Sequence, residues 1–182
     1  MALCGVLKGR LEACKDTLGG LLAVYFANYA EADGAFTVVS KEVTAIGVGL
    51  TTVYKYDLTT NTSSFDEALI GSKDNGTRVN TQTLNIVLTK QDVATHGEID
   101  SIVAGRPVVI VRDRNNKYHV AGITQGMETT GSAIGTGSNS ADFNGYNITL
   151  TAQEGSLAPL LDSATITALE ALVDATPIDP NA

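Results

Sequence analysis

Tyr146-Asn147-Ile148-Thr149-Leu150-Thr151-Ala152 alternates side chains without a break, and this stretch decides the fold. A period of two puts Tyr146, Ile148, Leu150 and Ala152 on one face of a strand and Asn147, Thr149 and Thr151 on the other, whereas a helix would scatter both sets around its axis. One face must meet a core and the other water. Residues 78–90 repeat the pattern, with Leu84, Ile86 and Leu88 inward and Thr83, Asn85 and Val87 outward.

Working outward, 21–28 and 35–40 are short β-prone runs, and 42–58 is rich in Val, Thr, Ile and Tyr. Within it Tyr54, Tyr56 and Leu58 share one face, with Lys55 and Asp57 on the other. Two apolar runs, 107–111 and 118–123, are joined by residues 112–117 with Asn115-Asn116 at the centre. Asparagine tolerates the left-handed backbone of a tight turn, so these runs form a hairpin. Residues 59–76 read as a polar surface loop closing on the turn signature Asp74-Asn75-Gly76, with Phe65, Leu69 and Ile70 as an apolar patch. Residues 125–144 read as a second loop, rich in Gly, Ser and Thr.

The period changes between 91 and 104, where Val93, Ile99, Ile102 and Val103 fit one helical face and Gly105-Arg106-Pro107 ends the run. A second helix, capped by Asp162 or Ser163, runs to about Ala175 with Leu169, Leu172 and Val173 on one side, and Pro177 and Pro180 stop it. About seven strands and two helices without regular βαβ alternation predict a mainly β (α+β) fold. The expected architecture is an antiparallel sandwich or barrel over 1–160, a mid-chain flanking helix, and an acidic C-terminal helix and tail over 161–182.

Charge is distributed unevenly. Beyond Lys117 there is no lysine or arginine, yet seven carboxylates occur: Glu128, Asp142, Glu154, Asp162, Glu170, Asp174 and Asp179. The first 117 residues hold all 12 basic residues and 13 of the 20 acids, so −7 of the net −8 falls in the last 65. No basic cluster exists to grip nucleic acid by its phosphates. At 182 residues the chain is long enough to bury a core without disulfides or metals. Cys4 and Cys14, with no nearby histidine, do not make a zinc site and read as reduced thiols. Residues 1–10 have too few apolar positions before Lys8 and Arg10 for a signal peptide, and no run approaches a membrane span. The sequons at Asn61, Asn75 and Asn147 then have no glycosylating compartment to meet.

The search for chemistry finds little. His96 and Asp100 are spaced to share a metal on the mid-chain helix, but no third ligand is identifiable, and a solvated helix face accounts for them. Asp113-Arg114-Asn115 begins like a calcium loop, yet Lys117 and Tyr118 stand where an oxygen ligand and a glycine are needed, and the hairpin turn explains it better. Gly135-Thr136-Gly137 lacks the third glycine, the preceding strand and the following helix of a dinucleotide loop. Neither histidine has triad context, and no phosphate-binding or nucleophile-elbow motif is present. The reading is a non-enzyme without cofactor, catalytic or metal residues.

Certain short motifs carry a likeness. Cys14-Lys15-Asp16-x-Leu18-Gly19-Gly20 followed by Val24-Tyr25-Phe26, then Asn75-Gly76-Thr77, and Val111-x-Asp113-x-x-x-Lys117-Tyr118-x-x-x-Gly122-x-x-x-Gly126 resemble structural proteins of tailed bacteriophages. More particularly, they are similar to tail tube proteins of phages that infect Bacteroidetes, over roughly residues 10–160. The resemblance implies a virion protein made in the host cytoplasm, without a membrane anchor. It would assemble with itself into hexameric rings that stack into a tube, and would meet other tail, neck or baseplate proteins. Inner sheets would join into a continuous barrel through which DNA passes without specific binding. It further implies interface anchors at Phe65, Leu69 and Ile70, and lumen-facing acids among Glu128, Asp142 and Glu154. The competing expectation is a neck, capsid-decorating or adhesion module that displays the 125–144 loop to a partner.

Overall fold

The computed structural model describes residues 8–181; Cys4 lies outside them. In chain order the elements are β1 (Leu21–Ala27), α1 (Tyr29–Ala32), β2 (Phe36–Val39), β3 (Glu42–Ile46), β4 (Tyr54–Asp57), β5 (Ser64–Ser72), β6 (Thr77–Thr89), α2 (Val93–Ala104), β7 (Val108–Asp113), β8 (Tyr118–Ala121), β9 (Glu128–Gly135), β10 (Gly145–Glu154), β11 (Leu160–Leu161) and α3 (Ser163–Ala171). They form a mainly β protein with two separate sheets, ordered β2-β3-β11-β8-β7-β1-β4 and β5-β6-β10-β9. Pairing is antiparallel throughout both sheets except between β11 and β3. The arrangement is a sandwich rather than a closed barrel.

The near-continuous apolar runs of β1 and β7 suit inner strands of the larger sheet, where both faces are covered. Ala23, Tyr25 and Ala27, with Val108 and Ile110, face a core shared with Leu169 of α3 and Ala32 of α1. The alternate residues Val24, Phe26, Val109 and Val111 face a second core, built with Leu84 and Ile86 of β6, Ile148 and Leu150 of β10, and Ile99 of α2. Each fully buried aliphatic side chain here contributes about 1.5–3 kcal/mol of transfer free energy. The layers are therefore α1 and α3, the large sheet, and the small sheet together with α2.

The expected hairpin 107–123 is β7–β8, with Arg112 opposite Tyr118 and Asn116 in the left-handed region at φ 56. Asp113 Oδ1 accepts the amides of Asn115 at 2.8 Å and Lys117 at 2.7 Å, so the calcium-like carboxylate serves the turn. Both longer helices start on an aspartate cap: Asp92 accepts from the Thr95 amide at 2.8 Å and Asp162 from the Thr165 amide at 2.7 Å. The hydroxyl and amide of Thr95 beside Asp92, and of Thr165 beside Asp162, hold both carboxyls below the ordinary range.

Several expectations are corrected. Residues 59–76 are not a loop, since β5 occupies their middle, and residues 125–144 contain β9. Both are edge strands of the smaller sheet, paired on one side only, so they lack the alternating apolar set that marks an inner strand. The run 42–58 divides into β3 and β4 around Gly47 and Gly49. Helix α2 buries Thr95 and Ile99, whereas Val93 is 92 % exposed and Val103 41 %. Helix α3 stops at Ala171 rather than near Ala175, because Val173 leaves it to bridge Val53.

Candidate assembly face and its edges

The register of the smaller sheet sorts its side chains. Phe65 pairs with Leu84, and Ile148 with Ile86, on the buried face. The residues between them must then point away from the core. On β5 and β6 these are Asp66 opposite Thr83, Ala68 opposite Thr81, and Ile70 opposite Val79. Across β6 and β10 they are Asn147 opposite Val87, Thr149 opposite Asn85, and Gln153 opposite Thr81; β9 adds Gly131, Ala133 and Glu128. Thr149 Oγ1 donates to Asn85 Oδ1 at 2.8 Å. Among the described residues this face is neutral hydroxyl, amide and aliphatic, with carboxylates at Asp66 and Glu128 and no lysine or arginine.

Nearby bases point elsewhere. Arg78 has the parity of the buried set, and its guanidinium donates to the Gly155 carbonyl at 2.8 Å. Lys90, past the end of β6, donates to Asn181 Oδ1 at 3.2 Å. Arg78 and Lys90 are thus held off the face, while Lys73 lies exposed in the β5–β6 turn beyond its end.

Its edges are long. β5 has nine residues and β9 has eight, and neither carries proline or lysine. Along them the described residues make no backbone–backbone bond outside the sheet, and only the end of β9 is covered, by Gln91 Nε2 donating to the Gly135 carbonyl at 2.8 Å. Such edges are templates for pairing with another strand.

Of the expected anchors, Ile70 is 60 % exposed on the bare face and Leu69, of opposite parity, 52 % exposed beside buried Asn80. Phe65 is half-buried and packs against its own chain's second core, its ring 6.0 Å from that of His119. Of the expected acids, Glu128 lies exposed on the bare face at the start of β9. Asp142 sits instead in the turn before β10 and accepts the amides of Asn139 at 2.7 Å and Ser138 at 2.8 Å. Those bonds, Asn139's first, hold its carboxyl below the ordinary range. Glu154 is corrected: it shares the buried parity of Asn80, is 6 % exposed, and accepts the Thr124 amide at 2.8 Å. Sequence reading missed Asp66, because a strand was not visible in 64–72 and its parity could not be assigned.

The polar groups under the sheet act as a brace. Glu67 Oε1 accepts from Asn80 Nδ2 at 2.6 Å, Gln82 Nε2 at 3.2 Å and the Ala158 amide at 2.8 Å, while Gln82 Oε1 accepts the Gly122 amide at 2.9 Å. They tie β5 and β6 to the loops after β8 and β10. Gly122 and Gly126 in that first loop have φ 67 and 78, and a Cβ on Gly126 would meet the Arg106 carbonyl oxygen at 2.3 Å. Only glycine fits there.

A second polar group joins the helix layer to the large sheet. Tyr25 Oη and Tyr118 Oη both donate to Glu170 Oε1 of α3, at 2.6 Å and 2.8 Å. Burial first, then the bond to Glu170, pushes both phenols above their ordinary value. On the opposite face of β4's neighbourhood, burial and the charges of Glu98 and Asp92 push Tyr56 up to about 12.

His96 is paired with Tyr146 rather than Asp100, its Nδ1 3.4 Å from the phenol oxygen. Among the described residues no three His, Cys, Asp or Glu side chains gather as metal ligands. Compared with protein-family models, with curated proteins and with solved structures, the chain shows no significant match.

Proposed function

We propose that the chain is a structural subunit of a phage tail tube, in which the bare face of the β5-β6-β10-β9 sheet lines a conduit for DNA. The observation that carries this reading is the face itself. Among the described residues it is a full sheet surface without a cation, bounded by two long unpaired edges. A wall that DNA must pass should not hold phosphates, and neutral side chains with a few carboxylates release what lysine or arginine would retain.

The edges supply a route to assembly. Successive strands of the small sheet run antiparallel, so β9 of one copy would meet β5 of the next antiparallel in a ring. With six copies, the number the resemblance implies, about 24 strands spaced about 4.8 Å and tilted by about 35–45° would enclose a backbone cylinder roughly 45–50 Å across. That leaves a lumen once side chains are in place. Asp66 and Glu128 lie in one row through Thr83 and Thr151, so closure within that row would set like charges side by side. The register stagger of a barrel separates them.

Negative-stain microscopy of the purified protein at rising concentration tests the reading. Hollow tubes or six-fold rings are expected; globules that stay dispersed at high concentration would remove it.

A further inference from the structure

We infer that β4, the free edge of the large sheet, is a slot for an extended strand, and that its occupant is the N-terminal arm, residues 8–19, of a second copy of this chain. The Leu58 amide donates to Leu22 of β1, whereas the Val53 amide donates to Leu172 and Val53 accepts from Asp174, each at 2.9 Å. Residues of odd number on β4 therefore turn their amides and carbonyls outward. At Val53 that outward side is taken by the C-terminal segment, which runs parallel to it. The segment then turns away. Asp174 Oδ1 accepts the Thr176 amide at 3.3 Å, and Pro177 and Pro180 have no amide to give.

Lys55 and Asp57 are left with outward backbone groups that make no bond among the described residues. Between them and the displaced tail lies a groove of about 760 Å³, walled by Lys55 and Asp57 on one side and by Asp174, Pro177 and Ile178 on the other. Its dimensions and its free amides and carbonyls suit a strand, which adds by main-chain hydrogen bonds.

Charge selects the occupant. The groove carries Asp57, Asp92, Glu98 and Asp174 against Lys55 and Lys90, a surplus of two negative charges. The arm carries Lys8, Arg10 and Lys15 against Glu12 and Asp16, a surplus of one positive charge. All of 8–19 is exposed and outside helix or strand, Leu11 is 92 % exposed, and among the described residues the arm's hydrogen bonds to its own chain are the pair between Leu18 and the Asn115 side chain. The arm thus offers free backbone, an apolar side chain and the complementary charge. This extends the proposed self-assembly but does not depend on six-fold closure, since a dimer or an open filament could use the same exchange.

Cys14 lies exposed on the arm, which permits a direct test. Asp57, whose side chain is 81 % exposed, is changed to Cys in full-length Cys4→Ser protein, and mild oxidation is followed by non-reducing electrophoresis and microscopy of the same sample. The expected result is a ladder of linked dimers and higher multiples carrying most of the protein, absent in Cys4→Ser protein that retains Asp57. A fast-migrating monomer, linked within one chain, would overturn the exchange, as would unlinked subunits in either dispersed or assembled protein. Tubes without a ladder would remove the arm while leaving the tube reading, and a ladder without rings would do the reverse.

Discussion

The two sheets of this sandwich solve burial differently. The large sheet is covered twice, by helices on one face and by the small sheet on the other, so Tyr25 and Ile110 are as fully buried as Val24 and Val109. The small sheet is covered once, and among the described residues its second face carries Thr, Asn, Gln and aliphatic residues such as Val79, Val87 and Ile70, with carboxylates at Asp66 and Glu128. Stability is concentrated where both faces are dry; a surface for a partner or a passing ligand remains where one is bare. Loss of a buried side chain should therefore lower stability, and a change on the bare face should alter only what the face meets.

The sharpest break between the two lies within one strand. Leu150→Ala removes a fully buried side chain between the sheets and is expected to cost about 3 kcal/mol in chemical denaturation. Its neighbour on the bare face, Thr151→Ala, should change stability by less than about 0.5 kcal/mol. Equal effects would mean that the bare face is not bare in solution.

Alkali should act on the covered sheet first. Tyr56 faces one core and Tyr25 the other, and both phenols titrate above their ordinary value of 10.0. The protonated forms are favoured by folding, so this stability is fully present below pH 10 and is lost as pH rises through the folded values, about 12 for Tyr56. Allowing for partial exposure, Tyr56 contributes about 1–2 kcal/mol. Melting temperature measured with tyrosinate absorbance should fall from pH 10 upward as the two phenols ionise; ionisation complete at pH 10 with no loss of stability would contradict this.

The smallest effect on stability should come from the bare face. Asp66→Lys with Glu128→Lys is expected to shift denaturation by under about 0.5 kcal/mol. If the face lines a conduit, assembled variant protein should retain duplex DNA that assembled wild-type protein releases, and the retention should weaken with salt. Equal release by both would count against the conduit.

Legibility followed the number of partners each strand has. β6 and β10 were readable because burial on one face imposes a strict alternation, and the β7–β8 hairpin because Asn116 must adopt a left-handed backbone. β5 and β9 were hidden because an edge strand with exposed faces needs no alternation, so Asp66-Glu67-Ala68-Leu69-Ile70 looks like a loop. The C-terminal helix was legible by its Asp162 cap, but its early end was not, because a long-range bridge from Val173 to Val53 terminates it.

What the chain determines locally is the class: alternation, caps and turn residues act over a few neighbours and make it mainly β with helices at fixed places. Strand parity was decided only by tertiary pairing. It turned Glu154 inward to the Thr124 amide, left Glu128 outside, and brought Asp66 from an apparent loop onto the same row. A carboxylate's sign is written in the sequence, but the wall it faces depends on a register, and one residue of slip reverses it.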